Sequence, residues 1–404
     1  MKSTDKELHF PYQSSFFDFG AFASIDSHAY HTYDYVSHRG EHMKITEVSI
    51  HQVSLPLRKP YKVSFRTYTE FEPILVRVVG DTGQTGWGEA YIPAGSTTET
   101  AASGWQFCCE QGPAMLHRGI QEAKAKIDSW VSVAPFAATA MLTALDMLAS
   151  HPVLETREEY RVPLLAPVSG TTPADIEQDV ERLIEAGYRT LKVKVGWEVD
   201  DDLARVSEVQ RAVAGRARIT MDANRGFDAA EARRFAAALD PDGIDLFEQP
   251  CEADEWDANA AAALVCPVPL MLDESIRIAD DIERASQLPN VKFVKLKLKR
   301  IGGIDRARTA MQRATDLGLD VCLGDGVATD LMCWVEACTG RGFLRRAGDM
   351  NGFLKPKDSL LNEPLSFENG VLIVKPGYRP EVDLNTLKRH ELRRERFTTS
   401  MVPA

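Results

Sequence analysis

From Pro163 onward the chain repeats one unit, a short apolar strand followed by an amphipathic helix, and this repetition restricts the fold more than any other feature. The segment TTPADIEQDVERLIEAG has Thr172 as N-cap and Pro173 at the first helical position. Ile176, Val180, Leu183 and Ile184 share one face, and Gly187 terminates the helix. RTLKVKVG is the strand that follows. The cycle recurs as RITMDAN, DLFEQP, PLMLDES, VKFVKLKL and DVCLGD, each followed by helical sequence. Consecutive parallel strands need crossover helices, and at this number of units closure into a barrel is the commonest arrangement.

The stretch before the repeat reads differently. ITEVSIHQVSLPL, PILVRVVG and GWGEAYI alternate or cluster apolar residues around Gly and Pro, as antiparallel strands do, and helical sequence runs from about Thr97 to Ser150. This predicts a small α+β domain. LSFENGVLIV near the C-terminus carries an Asn369-Gly370 hairpin signal, so the tail is expected to return to that domain. The expected division is an N-terminal extension over 1–42, a capping domain over 43–160, a barrel over 161–360 and a returning tail over 361–404. The extension holds five of the nine histidines without helical or strand periodicity. It is expected to be disordered and dispensable, with Met43 a candidate natural start. The stretch KPYKVSFRTYTEF, with Tyr61, Ser64 and Arg66, reads as a long loop over 58–71, either a functional lid or disordered.

The strand ends carry the chemistry. Asp222 ends RITMD, Glu248 ends DLFE and Asp273 ends PLMLD, spaced 26 and 25 residues apart, one βα unit each. Three consecutive strands would then present a carboxylate each at the C-terminal mouth, where barrel active sites are built. Such carboxylates repel one another, and a hard divalent cation relieves that, which points to Mg²⁺. The competing explanation for each acid is a helix N-cap, but three in phase make it a poor one. Lys192-Val193-Lys194 and Lys295-Leu296-Lys297 flank the acids, each pair inside an apolar strand. Alternation points both members of a pair inward, where lysine is rare without a reason, and crowded ammonium groups lower each other's pKa toward that of a useful base. The competing explanation there is a solvated edge strand.

KVK, DAN, EQP, DES and a lysine five residues before Gly302-Gly303 together resemble the muconate lactonizing enzyme-like subgroup of the mandelate racemase/muconate lactonizing enzyme family, within the enolase superfamily. The similarity extends over nearly everything from Met43 to the C-terminus. It implies a modified TIM barrel of (β/α)7β type, with an α+β capping domain completed by the C-terminal tail. It further implies Mg²⁺, with Mn²⁺ as a substitute, on Asp222, Glu248 and Asp273. Lys194 and Lys297 would face opposite sides of the substrate's α carbon, and Lys192 would contact its carboxylate. Lys295 stands where relatives often carry Asn. Asp349 and Asn351 in GDMNG stand where dipeptide epimerases carry a DxD pair that holds a substrate ammonium, and the Asn makes such an amine a poorer fit. These three, with Tyr61 and Arg66, are the expected substrate contacts. Asp325 in LGDG is expected to cap a helix, and Gly302-Gly303 to be a plain strand-to-helix turn.

The expected reaction is removal of a proton α to a carboxylate through a metal-stabilised enediolate, with racemisation or epimerisation favoured because lysines serve both faces. Cycloisomerisation and β-elimination use the same intermediate, and an inactive barrel that only binds is the remote alternative. No histidine lies between His151 and His390, which excludes a histidine base or zinc site inside the barrel. A net charge of -12 argues against nucleic acid and anionic membrane as partners. Seven cysteines without a CxxC pair point to reduced thiols in the cytoplasm. The expected partners are a small-molecule carboxylate and further copies of the chain in a homo-oligomer.

Overall fold

The computed structural model describes residues 43–63, 66–94 and 97–401. The expectations for residues 1–42 and for Ser64 therefore lie outside the described residues.

The first strands are β1 (Ile45–Val53), β2 (Leu55–Val63), β3 (Arg66–Phe71), β4 (Ile74–Gly80) and β5 (Thr85–Ala90). β4 pairs antiparallel with both β1 and β5. Three helices follow, α1 (Ala101–Met115), α2 (Ile120–Asp128) and α3 (Pro135–Leu148). α3 is buried along almost its whole length and lies on β5. The approach is close because β5 carries glycines there: a Cβ on Gly86 or Gly88 would stand 2.0 Å from the carbonyl oxygen of Ala144 or Ala140. An alanine at either position has to push the helix off the sheet.

The segment 58–71 is not the long loop its sequence suggests. β2 and β3 form an antiparallel hairpin, with Tyr61 opposite Tyr68 and Leu55 opposite Phe71. LPLRKPYKV lacks strand alternation because its order comes from neighbours rather than from a buried face of its own. Leu57, Tyr68 and Phe71 pack with Tyr91 and Val327. Backbone bonds from Arg58 N to Lys355 O, 2.8 Å, and from Lys357 N to Pro56 O, 2.9 Å, tie the hairpin to the chain's later part.

β6 (Tyr160–Pro163) precedes the repeat. The repeat itself runs β7 (Ala166–Pro167), α4 (Pro173–Glu185), β8 (Thr190–Lys194), α5 (Val199–Val213), β9 (Arg218–Asp222), α6 (Ala229–Ala238), β10 (Ile244–Glu248) and α7 (Trp256–Val265). It continues with β11 (Leu270–Leu272), α8 (Ala279–Ser286), β12 (Val291–Leu296), α9 (Leu298–Ile301), α10 (Ile304–Asp316), β13 (Asp320–Leu323) and α11 (Asp330–Gly340). Among the described residues β7 to β13 form one parallel sheet in sequence order. The ring is closed by the short stretch 348–350. Asp349 N donates to Leu323 O of β13 at 2.9 Å, while Gly348 N donates to Pro163 O and Leu165 N to Gly348 O at 2.9 and 3.0 Å on the other side. This stretch serves as the eighth strand and makes a (β/α)7β barrel.

Local chemistry explains the units. In α4 Thr172 Oγ1 accepts Asp175 N at 3.2 Å and the Asp175 carboxylate accepts Thr172 N, a cap of about 1 kcal/mol. Ile176, Val180 and Leu183 bury the inner face, at about 1.5–3 kcal/mol each. A charged residue at Val180 would remove the docking face at its centre. Inside the barrel Leu246, Met271 and Phe293, with Cys322 against them, form an apolar floor one layer below the mouth.

The tail contains β14 (Ser366–Glu368), β15 (Val371–Val374), α12 (Leu384–His390) and β16 (Glu391–Thr398). The Asn369-Gly370 turn joins β14 to β15 as its sequence signals, yet this hairpin pairs with β6. It is β16 that returns to the first sheet, antiparallel to β1. All seven cysteines are free thiols. No helix among the described residues is long and apolar enough to cross a membrane.

Candidate active site

Strand register sets the candidate catalytic layer. Lys194 pairs with Asp222 and Asp222 with Glu248 across adjacent strands, so three polar ends stand level at the mouth. Asp273 follows the last residue of β11 and Lys297 the last residue of β12. Asp222, Glu248, Asp273 and Lys192, Lys194, Lys295, Lys297 are all between 1% and 8% exposed, which rules out solvated edge strands. None of the three acids caps a helix: the N-cap positions of α6, α7 and α8 are Asp228, Glu255 and Ile278.

The lysines and acids interlock. Lys192 Nζ lies 2.7 Å from Asp222 Oδ2, 2.8 Å from Glu248 Oε2 and 3.0 Å from Asp349 Oδ2. Lys295 Nζ reaches Glu248 Oε1 at 2.9 Å and Asp349 Oδ2 at 2.6 Å. Lys194 Nζ donates to Asp222 Oδ2 and Asn224 Oδ1, both at 2.6 Å. Lys297 Nζ is 2.8 Å from Asp273 Oδ2. In an eight-stranded ring the lysine pairs occupy the second and sixth strands, diametrically opposed. The acids occupy the third, fourth and fifth, and Asp349 the eighth, facing Glu248.

Charge follows from this geometry. Burial disfavours the ammonium of Lys192, yet Asp222, Asp349 and Glu248 outweigh it and hold its pKa well above the ordinary lysine value. Lys295 is raised in the same way by Asp349 and Glu248. Lys194 goes the other way: burial, with Lys192 adding to it, outweighs Asp222 and lowers its pKa. Its partner Asp222 is nonetheless held below the carboxylate range despite burial, because three lysines surround it. Asp273 and Asp349 are depressed likewise, by Lys297 with Arg300 and by Lys192 with Lys295. Glu248 is pushed up, by burial and then by Asp222.

Other residues organise this layer without having stood out in the sequence. Gln249, left-handed at φ 38°, accepts Asp273 N and Ser275 N on its side-chain oxygen at 2.9 and 3.2 Å, and so orients the loop that presents Asp273. Arg300 donates to the Asp273 carbonyl at 2.7 Å and to its Oδ1 at 2.9 Å. Both lie near recognised motifs, EQP and the Gly-Gly turn, but only the folded chain shows what they hold. Lys355 lies in a turn outside any repeat. It is half-buried, its ammonium donates to Gly326 O at 2.8 Å and to Asn351 Oδ1, and it sits 4.6 Å from the Tyr61 ring centroid. Burial pulls its pKa down to about 8.

The expected substrate contacts divide. Tyr61 comes over the mouth from the hairpin, close enough for Asp349 to act on its hydroxyl, whose pKa burial raises. Asn351 donates to Leu165 O at 2.9 Å and to Asp349 Oδ1 at 3.2 Å. Arg66 is not brought to the cluster: it is exposed, with its guanidinium 5.0 Å from the Tyr68 ring centroid. Asp325 is not a helix cap. α11 begins after Thr329, and Asp325 instead makes a buried ion pair with Lys299 at 2.7 Å, because Lys299 enters from α9 with no water to solvate it.

Three buried carboxylates of hard oxygen on consecutive strand ends suit Mg²⁺, and Glu248 Oε2 accepts no geometrically sound hydrogen bond although Lys192 stands 2.8 Å away. A tighter group, with ligand atoms within 4.8 Å of one another, is Asp146, His151 and Asp305 at the end of α3 and the start of α10. There the Lys124 ammonium, 2.5 Å from Asp146 and 3.2 Å from Asp305, already takes the cation's place.

Comparison with known proteins agrees with this architecture. The sequence model of the family described as Enolase C-terminal domain-like matches residues 175–383. The chain is 26% identical over 304 residues to L-Ala-D/L-Glu epimerase of Bacillus subtilis, covering 72% of this chain and 82% of that one. It is 30% identical over 347 residues to hydrophobic dipeptide epimerase of Roseobacter litoralis, covering 82% and 98%. The crystal structure of N-succinyl Arg/Lys racemase from Bacillus cereus superposes with a TM-score of 0.81 at 24% identity, over 88% of this chain and all of that one. With a closed (β/α)7β ring, an antiparallel cap and these matches, the chain belongs to the mandelate racemase/muconate lactonizing enzyme family of the enolase superfamily.

Proposed function

We propose that this protein is a Mg²⁺-dependent isomerase that removes the proton α to a substrate carboxylate on one face and returns a proton on the other, racemising or epimerising an amino-acid derivative. The observation that carries the reading is the opposition of Lys194 and Lys297, on the second and sixth strands of the ring with three carboxylates between them. Asp222, Glu248 and Asp273 would hold the metal, and bound Mg²⁺ supplies Lewis-acid stabilisation of charge that grows on the substrate carboxylate. Lys192, already surrounded by carboxylates, is placed to bind and orient that carboxylate. Lys194 and Lys297 exchange protons with the α carbon, and the hairpin with Tyr61 excludes water. Relatives named as epimerases and a racemase support this class. Cycloisomerisation or β-elimination would keep the first step but need only one lysine as base.

The test is α-proton exchange in deuterated water, followed by proton NMR over a panel of N-acyl amino acids and dipeptides. Exchange is expected with Mg²⁺ or Mn²⁺, to vanish with a strong chelator, and to be absent in Glu248→Gln together with metal binding. Full exchange in the chelated protein would sink the reading.

A further inference from the structure

The turn that follows Lys297 is held from two sides by its own charged side chains. Lys297 is the N-cap of α9, and its carbonyl accepts Arg300 N at 2.8 Å and Ile301 N at 3.0 Å. The backbone from which the Lys297 side chain springs is therefore part of one tight turn with Leu298, Lys299 and Arg300. Arg300 ties that turn toward β11, through the Asp273 carbonyl and carboxylate and the Ile276 carbonyl. Lys299 ties it toward β13. Its ammonium lies 2.7 Å from Asp325 Oδ2, just past the end of that strand, and 5.6 Å from the ring centroids of both Tyr91 and Phe136. Its carbonyl accepts Thr139 Oγ1 from α3 at 3.3 Å, and Asp325 Oδ1 is held in turn by Val327 N at 3.2 Å. Lys299 is only 3% exposed, so it cannot leave Asp325 without stranding a charge in the interior, and the tie is stiff. The residues after Lys194 make no such tie: Val195 is apolar, Gly196 has no side chain and Trp197 is 39% exposed. That loop is held through its backbone, by Asp202 Oδ2 accepting Gly196 N and Trp197 N, both at 2.8 Å.

We propose that Lys299, paired with Asp325, is a positioning residue for one half of the reaction: it fixes the α9 turn so that Lys297, and not Lys194, stands at reacting distance from the substrate's α carbon. The inference rests on the two-lysine reading and adds to it a residue outside the site that serves a single face. Arg300 cannot take this part, because it bears on Asp273 and its loss would disturb the proposed metal set and so both faces together. Lys299 is separate from that set, since its ion-pair partner among the described residues is Asp325. A reacting group displaced by about 1 Å can lose about 10²-fold in rate, so a turn released on one side is enough to silence one base.

The test is the initial rate of α-proton loss from each enantiomer in deuterated water, followed by proton NMR on the Mg²⁺-loaded full chain. The probe is whichever N-acyl amino acid or dipeptide of the panel the parent exchanges fastest. Lys297→Ala identifies the enantiomer that Lys297 deprotonates, as the one that variant no longer exchanges. For that enantiomer Lys299→Met should lower the rate at saturating probe by about 10–100-fold, and it should leave the other enantiomer near the parent rate. Lys299→Arg, which keeps the ion pair, should keep both rates. The double variant Lys299→Met, Asp325→Asn strands no charge and retains an acceptor for Val327 N. Denaturant unfolding should show its stability recovered while its exchange stays one-sided, and it decides the matter if Lys299→Met alone does not fold. Equal loss from both enantiomers, loss from neither, or a double variant that regains both rates with its stability overturns the proposal and leaves the functional reading standing. If the parent exchanges one enantiomer only, or none, the two-lysine reading fails and the proposal fails with it.

Discussion

β8 and β12 carry the same Lys-x-Lys sequence at opposite sides of the ring, and the two pairs act alike at their first members and differently after their second. Lys192 and Lys295 both turn inward to Glu248 and Asp349 across the barrel axis. Lys194 and Lys297 each take a neighbouring aspartate of the proposed metal set. Beyond them the symmetry stops. After Lys194 the chain turns at Gly196 and exposes Trp197. After Lys297 it enters α9 directly, burying Lys299 against Asp325 and Arg300 against Asp273. The Lys297 side is thus braced by charges that the Lys194 side lacks. Two bases of equal chemistry can stand on supports of unequal rigidity.

Four measurements sharpen or break this comparison. The largest effect should come from the bases. Lys194→Ala and Lys297→Ala should each lower racemisation by about 10²–10⁴-fold, while each variant still exchanges the α proton of one enantiomer, and not the same one. If both variants prefer the same enantiomer, the functional symmetry is gone and a one-base reaction takes its place.

Lys299→Met should come next. It strands Asp325 in the interior, and losing one partner of a buried pair costs about 3–5 kcal/mol, read from denaturant unfolding. Replacing both, Lys299→Met with Asp325→Asn, should recover most of that loss. A single variant as stable as the parent would mean the bracing is absent.

A buried carboxylate at the start of α11 gives a pH signature. Glu89 on β5 accepts Thr329 N at 2.8 Å and Met332 N at 3.1 Å at the start of α11, and burial pushes its pKa up to about 7. Its folded pKa lies above the unfolded one near 4.5, so the folded state holds the proton longer. That contribution to stability is complete below the unfolded value and is lost as pH rises from about 4.5 to 7, by at most about 3 kcal/mol. Glu89→Gln should flatten this part of the stability profile, and an unchanged slope would exclude Glu89 as its source.

The smallest effect should follow Arg300→Met, which frees Asp273 on one side only. Mg²⁺ affinity is expected to fall about 10–100-fold by calorimetry, as for other residues that orient a ligand, and Arg300→Lys should recover part of it. An unchanged affinity would show that Gln249 alone suffices to present Asp273.

The amino-acid order by itself determined the barrel and the layer of lysines and carboxylates at its mouth. Helix and strand periods are local, and one βα unit per 24 to 28 residues places Lys194, Asp222, Glu248, Asp273 and Lys297 at successive strand ends whatever surrounds them. It also determined the Asn369-Gly370 turn, a property of two residues and their backbone angles. Only the tertiary structure decided the rest. The eighth strand is three residues held by bonds to Leu323 and Pro163, far away in the chain, and no period announces it. The β2–β3 hairpin draws its order from Tyr91, Val327 and the 355–357 segment, so its own sequence reads as a loop. Arg66 opens β3 and Lys355 lies in a turn, yet it is the strand residue that is turned to solvent and the turn residue that reaches Asn351 beside Asp349. Asp325 took an ion pair in place of a cap because a buried ammonium reached it. Pairings across long sequence separations depend on which charges are desolvated together, and a linear pattern does not carry that information.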